Sequence, residues 1–282
     1  MRPDVDDKSQ GAVRVPELSD GDIATMLAAL AGGSLRVERV QLSDRIVWIK
    51  RYRGSGLRLG ARLQGLVAAL TRQPILRSSP LLTPEQAIDR EVRQIAAFSR
   101  AGFLTPTIFY RSKTALILSH LGRPISKQMG MLAAADSDAH DELLVRCALE
   151  LGHLHAAGLC HGRPHPRDFI LDDGRFGFLD FEEEPAAVMP LAVAQARDVW
   201  LLFLQIASRC LKPETPQRAY AAWKTVAPAE AETALRQVMP LFAGFLPLAR
   251  FLLRLRRGHD LVRFIAATDF LASATASRPQ TQ

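Results

Sequence analysis

The sequence predicts an α+β protein whose first part is rich in strands and whose second part is mostly helical. Two runs, LRVERVQL from Leu35 and RIVWIKRY from Arg45, have the composition of strands and are separated by turn residues. From Asp141 onward, apolar residues recur at helical spacing instead. The change falls near residues 119–124, and a chain of 282 residues is long enough for two lobes that share a cleft.

The other elements of the first part follow from local signals. Residues 23–30 predict a short helix that ends at two glycines. The run Thr83-Pro84-Glu85-Gln86 begins a longer helix, because Thr83 can cap it and Gln86 can return the capping bond. This helix is expected to end at Gly102. The runs TPTIFYRS and TALILSHLG that follow are typical of strands.

In the second part, Asp173-Gly174 predicts a tight hairpin turn between two short strands. The run RDVWLLFLQIA from Arg197 predicts a buried helix opened by Asp198. Together the elements divide the chain into four predicted regions: a flexible N-terminus of residues 1–22, an N-lobe of residues 23–121 with a basic insertion at 54–82, a helical C-lobe of residues 122–272 and a flexible tail of residues 273–282.

Composition indicates a folded protein, with 48% hydrophobic and 23% charged residues. The three cysteines form no CxxC pair, so neither a disulfide framework nor a zinc site is predicted.

Residues 1–20 lack the apolar centre of a signal peptide. The longest apolar run, MPLFAGFLPLARFLL, is interrupted by prolines and arginine and is shorter than the roughly 20 residues of a membrane span. We therefore expect a cytoplasmic protein, soluble or peripheral on the inner face of the cytoplasmic membrane.

The net charge of +7 is unevenly distributed. Residues 54–84 and residues 233–259 each contain several arginines and no acidic residue. Such segments suit an anionic partner, which could be a phospholipid, a nucleic acid or a phosphorylated glycan. The part from residue 57 to 77 has leucines at helical spacing and could lie on an anionic membrane or pack as a surface helix.

Two charged residues of the first part are candidates for a functional ion pair. Lys50 ends the strand VWIK, and Glu91 lies on the predicted helix beside apolar residues. A carboxylate on a buried face needs a partner, because burying an unpaired charge is costly, and Lys50 is the natural candidate. The alternative is an exposed Glu91 that pairs locally with Arg90 or Arg93.

A second set of candidates lies in HGRPHPRDFILDDGRFGFLDFEEEP, which runs from His161 to Pro185. Asp168 and Asp180 flank the predicted hairpin, so both carboxylates can come to the same end of it. Two converging carboxylates beside a phosphate-binding lysine predict a Mg²⁺ site. The alternative is an ordinary polar hairpin. The local sequence is also consistent with Asp198 as a simple helix cap.

These features, in this order, resemble the protein-kinase-like superfamily over residues 35–206. Within it, the string HG-x-x-HP-x-D-F-I-L-D-D-G-x(5)-D-F-E is similar to that of bacterial lipopolysaccharide kinases, which phosphorylate Kdo or heptose sugars of the inner core. The resemblance implies a two-lobed fold that uses ATP and Mg²⁺. It also implies a role for each candidate: Lys50 holds the ATP phosphates, Glu91 orients Lys50, Asp168 and Asp180 bind the metal, and Asp198 and His161 support the catalytic loop.

The sequence departs from that family at two places. It has no glycine-rich loop between the first strands, and Arg163 occupies the position of the catalytic aspartate. We hypothesise that Arg163 binds phosphate, while His165 or Asp168 orients the acceptor hydroxyl. The alternative is a pseudokinase in which Arg163 forms a salt bridge with Asp168 or Asp180.

The expected acceptor is a sugar or a lipid-linked sugar. Only 17 residues separate Asp180 from Asp198, and this is too short for the segment with which a protein kinase docks a peptide. A protein substrate is therefore disfavoured. A nonenzymatic scaffold that regulates an envelope pathway is a competing function. Nucleic-acid binding ranks third, because no reader motif or aromatic stacking surface accompanies the basic segments.

Overall fold

The computed structural model describes residues 18–52, 74–77, 80, 82–255 and 258–276. It divides into two compact units. The first consists of Met1–Arg53 and Pro106–His120, and the second of Gly54–Thr105 and Leu121–Gln282. The change from one unit to the other at residues 120–121 lies within the predicted boundary region.

The first unit contains one helix and an antiparallel sheet. Helix α1 spans Asp20–Gly32, and strands β1 to β4 span Val37–Gln41, Ile46–Arg51, Ile108–Arg111 and Ala115–Ser119. The strand order is β1-β2-β4-β3. Side chains from α1 and the sheet form one buried cluster: Met26, Val40, Leu42, Val47, Ile49 and Ile117. All four predicted strands are present.

The turn between β1 and β2 contains no glycine, as the sequence shows, and it is fixed to α1. The carboxylate of Asp22 accepts hydrogen bonds from the backbone amide and the hydroxyl of Ser43, both at 2.9 Å. The turn is closed by the amide of Leu42, which donates to the carbonyl of Arg45 at 2.8 Å. A side chain of one element therefore holds the turn of another in place.

The second unit begins with helix α2, Pro84–Arg100, whose predicted start is confirmed. The amide of Gln86 donates to the Thr83 hydroxyl at 3.3 Å, and the Thr83 amide donates to the Gln86 side chain at 3.0 Å. The helix ends before Gly102, which has a φ of +89°. These reciprocal bonds satisfy amides that a helix N-terminus otherwise leaves unpaired.

The rest of the second unit is a set of helices around one hairpin. The helix Ser137–Ala156 packs on the helix Thr215–Val226, while the helix Leu191–Arg209 packs on the helices Ala229–Gly244 and His259–Ala276. Buried apolar side chains from these helices form its core. The elements are α3 (Ile125–Leu132), α4 (Ser137–Ala156), β5 (Phe169–Asp172), β6 (Arg175–Phe178), α5 (Leu191–Arg209), α6 (Thr215–Val226), α7 (Ala229–Gly244), α8 (Leu246–Leu255) and α9 (His259–Ala276).

The predicted fold class is thus confirmed: the protein is α+β, with a small antiparallel sheet in its first unit and a larger helical second unit. This order of elements is the one that the resemblance to the protein-kinase-like superfamily implies.

Several bounds differ from the predicted regions. Helix α1 starts at Asp20, inside the N-terminus expected to be flexible, because the Ser19 hydroxyl caps it. Helix α9 continues to Ala276, and Thr275 is buried. Helix α2 groups with the second unit, although residues 23–121 were expected to form one lobe. The predicted basic helix over residues 57–77 lies largely outside the described residues.

In the described part of the chain, no single helix has the length and apolar composition of a membrane span. Helices α7 and α8 meet those criteria only when taken together, and they are bent by 43° relative to each other.

Candidate active site

The β5–β6 hairpin brings Asp168 and Asp180 to the same end, as predicted. Its turn consists of Asp173 and Gly174, with φ values of 44° and 76°. Positive φ at both turn residues is what the twist of a two-residue hairpin requires. The strands pair from this turn back to Phe169 and Phe178, and the amide of Leu179 then donates to the carbonyl of Asp168 at 2.8 Å. The two aspartates therefore flank the open end of the hairpin.

Asp168 is a buried carboxyl group whose charge is poorly compensated. It is 4% exposed, and its Oδ2 atom has no hydrogen-bond partner among the described residues. Its Oδ1 atom lies 3.4 Å from the Nε atom of Arg167. Burial and the negative charge of Asp180 raise the pKa of Asp168 to about 7, although Arg167 and Arg163 act in the opposite direction. The two carboxylates are therefore close enough to repel each other.

Asp180 has an uncommon backbone conformation, with a φ of 63°. Residues other than glycine rarely adopt positive φ, although aspartate tolerates it better than most, and such residues cluster at functional sites. The Oδ2 atom of Asp180 lies 3.6 Å from the Nη2 atom of Arg163. Arg163, which was predicted to replace a catalytic aspartate, thus contacts one of the two predicted metal ligands.

The donor set fits a magnesium ion. Mg²⁺ binds oxygen atoms and is usually held by one or two carboxylates together with water and substrate phosphates. Asp168 and Asp180 supply such a pair, and the unpartnered Oδ2 atom of Asp168 is a buried acceptor that a cation would satisfy. No cluster of three or more metal-binding side chains occurs in the described ranges. The remaining ligands would therefore come from phosphate and water.

Asp198 holds the backbone of the adjacent loop. Its carboxylate is fully buried and accepts hydrogen bonds from the amides of His161 at 2.6 Å and Gly162 at 2.8 Å. The prediction that Asp198 opens its helix is wrong, because α5 begins seven residues earlier, at Leu191. Asp198 lies inside the helix and cannot cap it. Its carboxylate binds the amides of the loop instead.

A buried histidine lies close to Asp198. The Nε2 atom of His155 lies 3.5 Å from the Asp198 carboxylate, and the Nδ1 atom of His155 accepts a hydrogen bond from the Trp223 indole at 3.1 Å. Because Nδ1 is the acceptor, the proton of a neutral ring is on Nε2 and points towards Asp198. Neither His155 nor Trp223 was singled out from the sequence, since the contacts join three helices.

His161 is a structural residue of the loop. Its ring stacks on Phe169 and Phe181, with centroid distances of 6.1 and 6.3 Å, and its Nε2 atom lies 3.1 Å from the carbonyl of Leu179. Burial lowers the pKa of His161, so its ring is neutral at pH 7. Phe98 of α2 contacts Phe181 edge-to-face at 4.8 Å. The helix that carries Glu91 is therefore packed against the residue after Asp180.

Gly162 is required by the close approach of two loop segments. Its φ is +96°, and a Cβ atom added there would lie 2.6 Å from the Cβ atom of Glu183. A side chain at this position would therefore be both strained and in collision. The glycine of the HG motif lets the backbone held by Asp198 lie directly against the segment that follows Asp180.

His165 is half-buried in positively charged surroundings. Its Nδ1 atom accepts a hydrogen bond from the amide of Arg167 at 3.1 Å, so the proton of the neutral ring is on Nε2. Burial, together with the positive charges of nearby arginines, lowers the pKa of His165 to about 4. His165 can therefore donate a hydrogen bond at pH 7 but is a poor proton acceptor. The arginines are Arg167, Arg209, Arg263 and Arg163.

Lys50 and Glu91 are both buried. Lys50 lies on β2 between Val37 of β1 and Leu116 of β4, and Glu91 on α2 is only 1% exposed. The alternative in which Glu91 is an exposed helix residue is therefore wrong. Because Lys50 belongs to the first unit and Glu91 to the second, their pairing stays a prediction.

A similar sequence covers part of the chain. No protein-family model matches the chain. A protein of Haemophilus influenzae that is described as uncharacterized is 30% identical over 101 residues, which are 35% of this chain and 40% of that protein. The match therefore spans less than half of the relative's length.

Two solved kinase structures are similar at low identity. The choline kinase LicA from Streptococcus pneumoniae is 11% identical, with a TM-score of 0.39, and the alignment covers 89% of this chain and 98% of that one. A MAP kinase from Leishmania major is 16% identical, with a TM-score of 0.37, and the coverages are 89% and 85%. Both TM-scores lie below 0.5, so the proposal below rests on the residues of this chain.

Proposed function

We propose that the protein is a phosphotransferase that uses ATP and Mg²⁺ to phosphorylate a hydroxyl group of a sugar or a lipid-linked sugar. The observation that carries this proposal is the Asp168–Asp180 pair, with its unpartnered buried oxygen, beside a loop whose backbone is held by Asp198. An ordinary polar hairpin gives no reason for two repelling carboxylates at a buried end.

Asp168 and Asp180 are the residues that would hold the magnesium ion. When bound, Mg²⁺ would offset the negative charge of the ATP phosphates from which the phosphoryl group is transferred to the acceptor hydroxyl. The carboxylates themselves would be kept ionised by the cation, which removes the repulsion that raises the pKa of Asp168. The predicted role of Lys50, to hold the ATP phosphates, and that of Glu91, to orient Lys50, belong to the same proposal.

Arg163 is assigned to the transferred phosphoryl group or to an anionic group of the acceptor. Phosphoryl transfer passes through a loose transition state, so positioning and charge compensation count for more than removal of a proton. A general base contributes about 10²–10⁴-fold, so its loss slows a kinase without removing all activity. The guanidinium offers paired donors for phosphate oxygens, and it is half exposed.

His165 would position the acceptor as a hydrogen-bond donor. Its Nε2–H is available in the neutral ring, because the Arg167 amide occupies Nδ1. The low pKa of His165 excludes it as an effective base at neutral pH. This refines the hypothesis in which His165 or Asp168 orients the hydroxyl: His165 donates a bond to the oxygen and Asp168 binds the metal.

The acceptor class is supported by the short segment after Asp180. Only ten residues lie between Asp180 and the start of α5 at Leu191, and they include the 3₁₀ turn Pro185–Ala187. This leaves little chain with which to bind a peptide. A small or lipid-linked sugar, as in lipopolysaccharide or another envelope glycan, is therefore preferred over a protein or nucleic acid, and catalysis is assigned to the cytoplasmic side of the membrane.

A second candidate function is a catalytically impaired pseudokinase that serves as a regulatory or scaffold protein. The contact between Arg163 and Asp180 favours it, because an arginine beside a metal ligand competes with the cation for the same carboxylate. In this case the protein would bind a partner or nucleotide without turnover.

ATP turnover by the purified protein distinguishes the two functions. Phosphate release or transfer is measured with Mg²⁺ or Mn²⁺ and candidate sugar acceptors, for the wild type, Asp180→Asn and the exposed hairpin control Asp172→Asn. We expect turnover in the wild type and the control and a loss in Asp180→Asn. If all three proteins are inactive and ATP with metal produces no thermal shift, the transferase proposal is wrong.

A further inference from the structure

Helix α8 has a solvent-facing apolar stripe in addition to its buried side. Leu246 and Ala249 face the protein interior, whereas the opposite side of the helix is exposed. On that side Phe251 and Leu255 are 56% and 70% exposed. The stripe follows the i, i+3, i+4, i+7 spacing of one helix face and consists of Leu248, Phe251, Leu252 and Leu255. We call these four residues the α8 surface.

Two further exposed apolar residues lie on the segments next to helix α8. Phe245 directly precedes the helix, and Val262 lies on α9, which packs against α8. Monomeric proteins seldom expose a contiguous group of large apolar side chains, and such groups mark sites of interaction with proteins or membranes.

The charge of this segment fits an anionic partner. Residues 233–259 contain no acidic residue. Helix α8 carries two exposed arginines: Arg254, and Arg250, whose guanidinium pairs with Asp269 of α9 at 2.7 Å. The sequence continues with two further arginines at positions 256 and 257. An apolar face beside arginines is typical of helices that lie in the interface of an anionic bilayer.

Helix α7 is not available to the same partner. Its apolar residues Leu235, Met239 and Phe242 are buried, and Phe242 stacks on Trp200 of α5 at a centroid distance of 4.2 Å. Inserting the α7–α8 pair through a bilayer would require α7 to leave the protein core. The structure therefore favours an α8 that lies on a membrane over one that spans it.

We propose that the α8 surface attaches the protein to an anionic phospholipid membrane, with the exposed leucines and phenylalanine among the acyl chains and the arginines at the head groups. This surface is distinct from residues 57–77, for which membrane contact was predicted from the sequence. Binding itself does not depend on catalysis.

Sedimentation with lipid vesicles tests the proposal on the full chain. The vesicles contain either phosphatidylcholine alone or phosphatidylcholine with about one third phosphatidylglycerol. We expect binding to the anionic vesicles that weakens with salt. The double variant Phe251→Gln/Leu255→Gln should bind at least about 10-fold more weakly, since two large apolar contacts are lost. Arg254→Gln should also bind more weakly, and with a shallower salt dependence.

Helix α1 offers a matched control. Ile23 and Leu27 are also four residues apart on a helix, and they are 41% and 52% exposed, but α1 has acids in its first turn. Ile23→Gln/Leu27→Gln should therefore bind vesicles like the wild type. Thermal unfolding verifies that both double variants are folded.

Three results would overturn the proposal. The first is vesicle binding by Phe251→Gln/Leu255→Gln that equals that of the wild type, and the second is an absence of binding to anionic vesicles. The third is a dimer in light scattering that this variant converts to a monomer, without vesicle binding, which would make the surface an interface between two copies of the chain. Loss of ATP turnover would leave the vesicle result unchanged, so failure of the proposed function and failure of this proposal are distinguishable.

Discussion

The Nη2 atom of Arg163 lies 3.6 Å from the Oδ2 atom of Asp180, so the residue that was predicted to replace a catalytic aspartate contacts a predicted metal ligand. The guanidinium is about half exposed. Ion pairs at such positions contribute about 0–1 kcal/mol, because solvent screens them. This is too little to prevent a divalent cation from binding at Asp180. The contact is therefore compatible with an active enzyme in which Arg163 turns to phosphate once the cation is bound.

Replacement of Arg163 tests this role. Arg163→Ala should lower kcat by about 10²-fold, because a charged donor to the phosphoryl group is lost. Arg163→Asp should not restore activity, since a third carboxylate would add repulsion beside Asp168 and Asp180. Arg175→Ala, on the exposed side of the hairpin, is the control and should retain the wild-type rate. A gain in turnover for Arg163→Asp would show instead that the arginine suppresses catalysis.

The charge of Asp168 should make stability depend on pH in the absence of metal. Its pKa is about 7 in the folded protein and 3.8 in an unfolded chain. The folded state therefore binds the proton more tightly, and the contribution of Asp168 to stability is present below pH 3.8 and is lost as pH rises through 7. The loss is on the order of 4 kcal/mol. Urea unfolding between pH 4 and 8 measures it.

Asp168→Asn is the variant that isolates this contribution. Its stability should fall less with rising pH than that of the wild type, whereas Asp172→Asn should follow the wild type. Saturating Mg²⁺ should reduce the fall in the wild type, since the cation stabilises the ionised form. Identical pH profiles for the wild type and Asp168→Asn would show that Asp168 titrates normally.

Asp198 should be one of the most sensitive positions for stability. Asp198→Ala leaves the buried amides of His161 and Gly162 without their acceptor, and we expect the free energy of unfolding to fall by about 3–5 kcal/mol. Asp198→Asn retains one acceptor oxygen and should lose less. Urea denaturation measures both. Asp260→Ala, a change at an almost fully exposed helix residue, should stay within about 0.5 kcal/mol of the wild type. A similarly small effect for Asp198→Ala would contradict its role in holding the loop.

Substitutions at two glycines distinguish the stability cost of backbone strain from that of a steric collision. Gly174→Ala places a side chain at φ +76° with open space around it and should cost about 1–2 kcal/mol. Gly162→Ala adds the collision with Glu183 and should cost about 1–3 kcal/mol more. Thermal or urea unfolding of both variants provides the comparison. Equal costs would mean that the loop and the segment after Asp180 can move apart.

Local signals explain which parts could be predicted from the sequence. The capping box at Thr83 and the Asp173-Gly174 turn are formed by neighbouring residues, and the structure has both where they were expected. The placement of Asp168 and Asp180 at one end of the hairpin followed from that turn.

The features that could not be predicted from the sequence depend on long-range contacts. The start of α5 at Leu191 has no side-chain cap, so the sequence favoured Asp198 as the first residue of the helix. The contact of Phe98 with Phe181 and the influence of Arg263 on His165 join residues more than 80 positions apart. No pattern in the intervening sequence indicates such pairs, because they depend on how whole helices pack.

Binding of Mn²⁺ in the presence of ATP, measured by electron paramagnetic resonance, tests most directly whether Asp168 and Asp180 form a metal site for phosphoryl transfer. The protein should bind Mn²⁺ with ATP, Asp180→Asn should bind at least about 10-fold more weakly, and Asp172→Asn should bind like the wild type. Equal binding by the wild type and Asp180→Asn, or no binding by either, would contradict the proposed site.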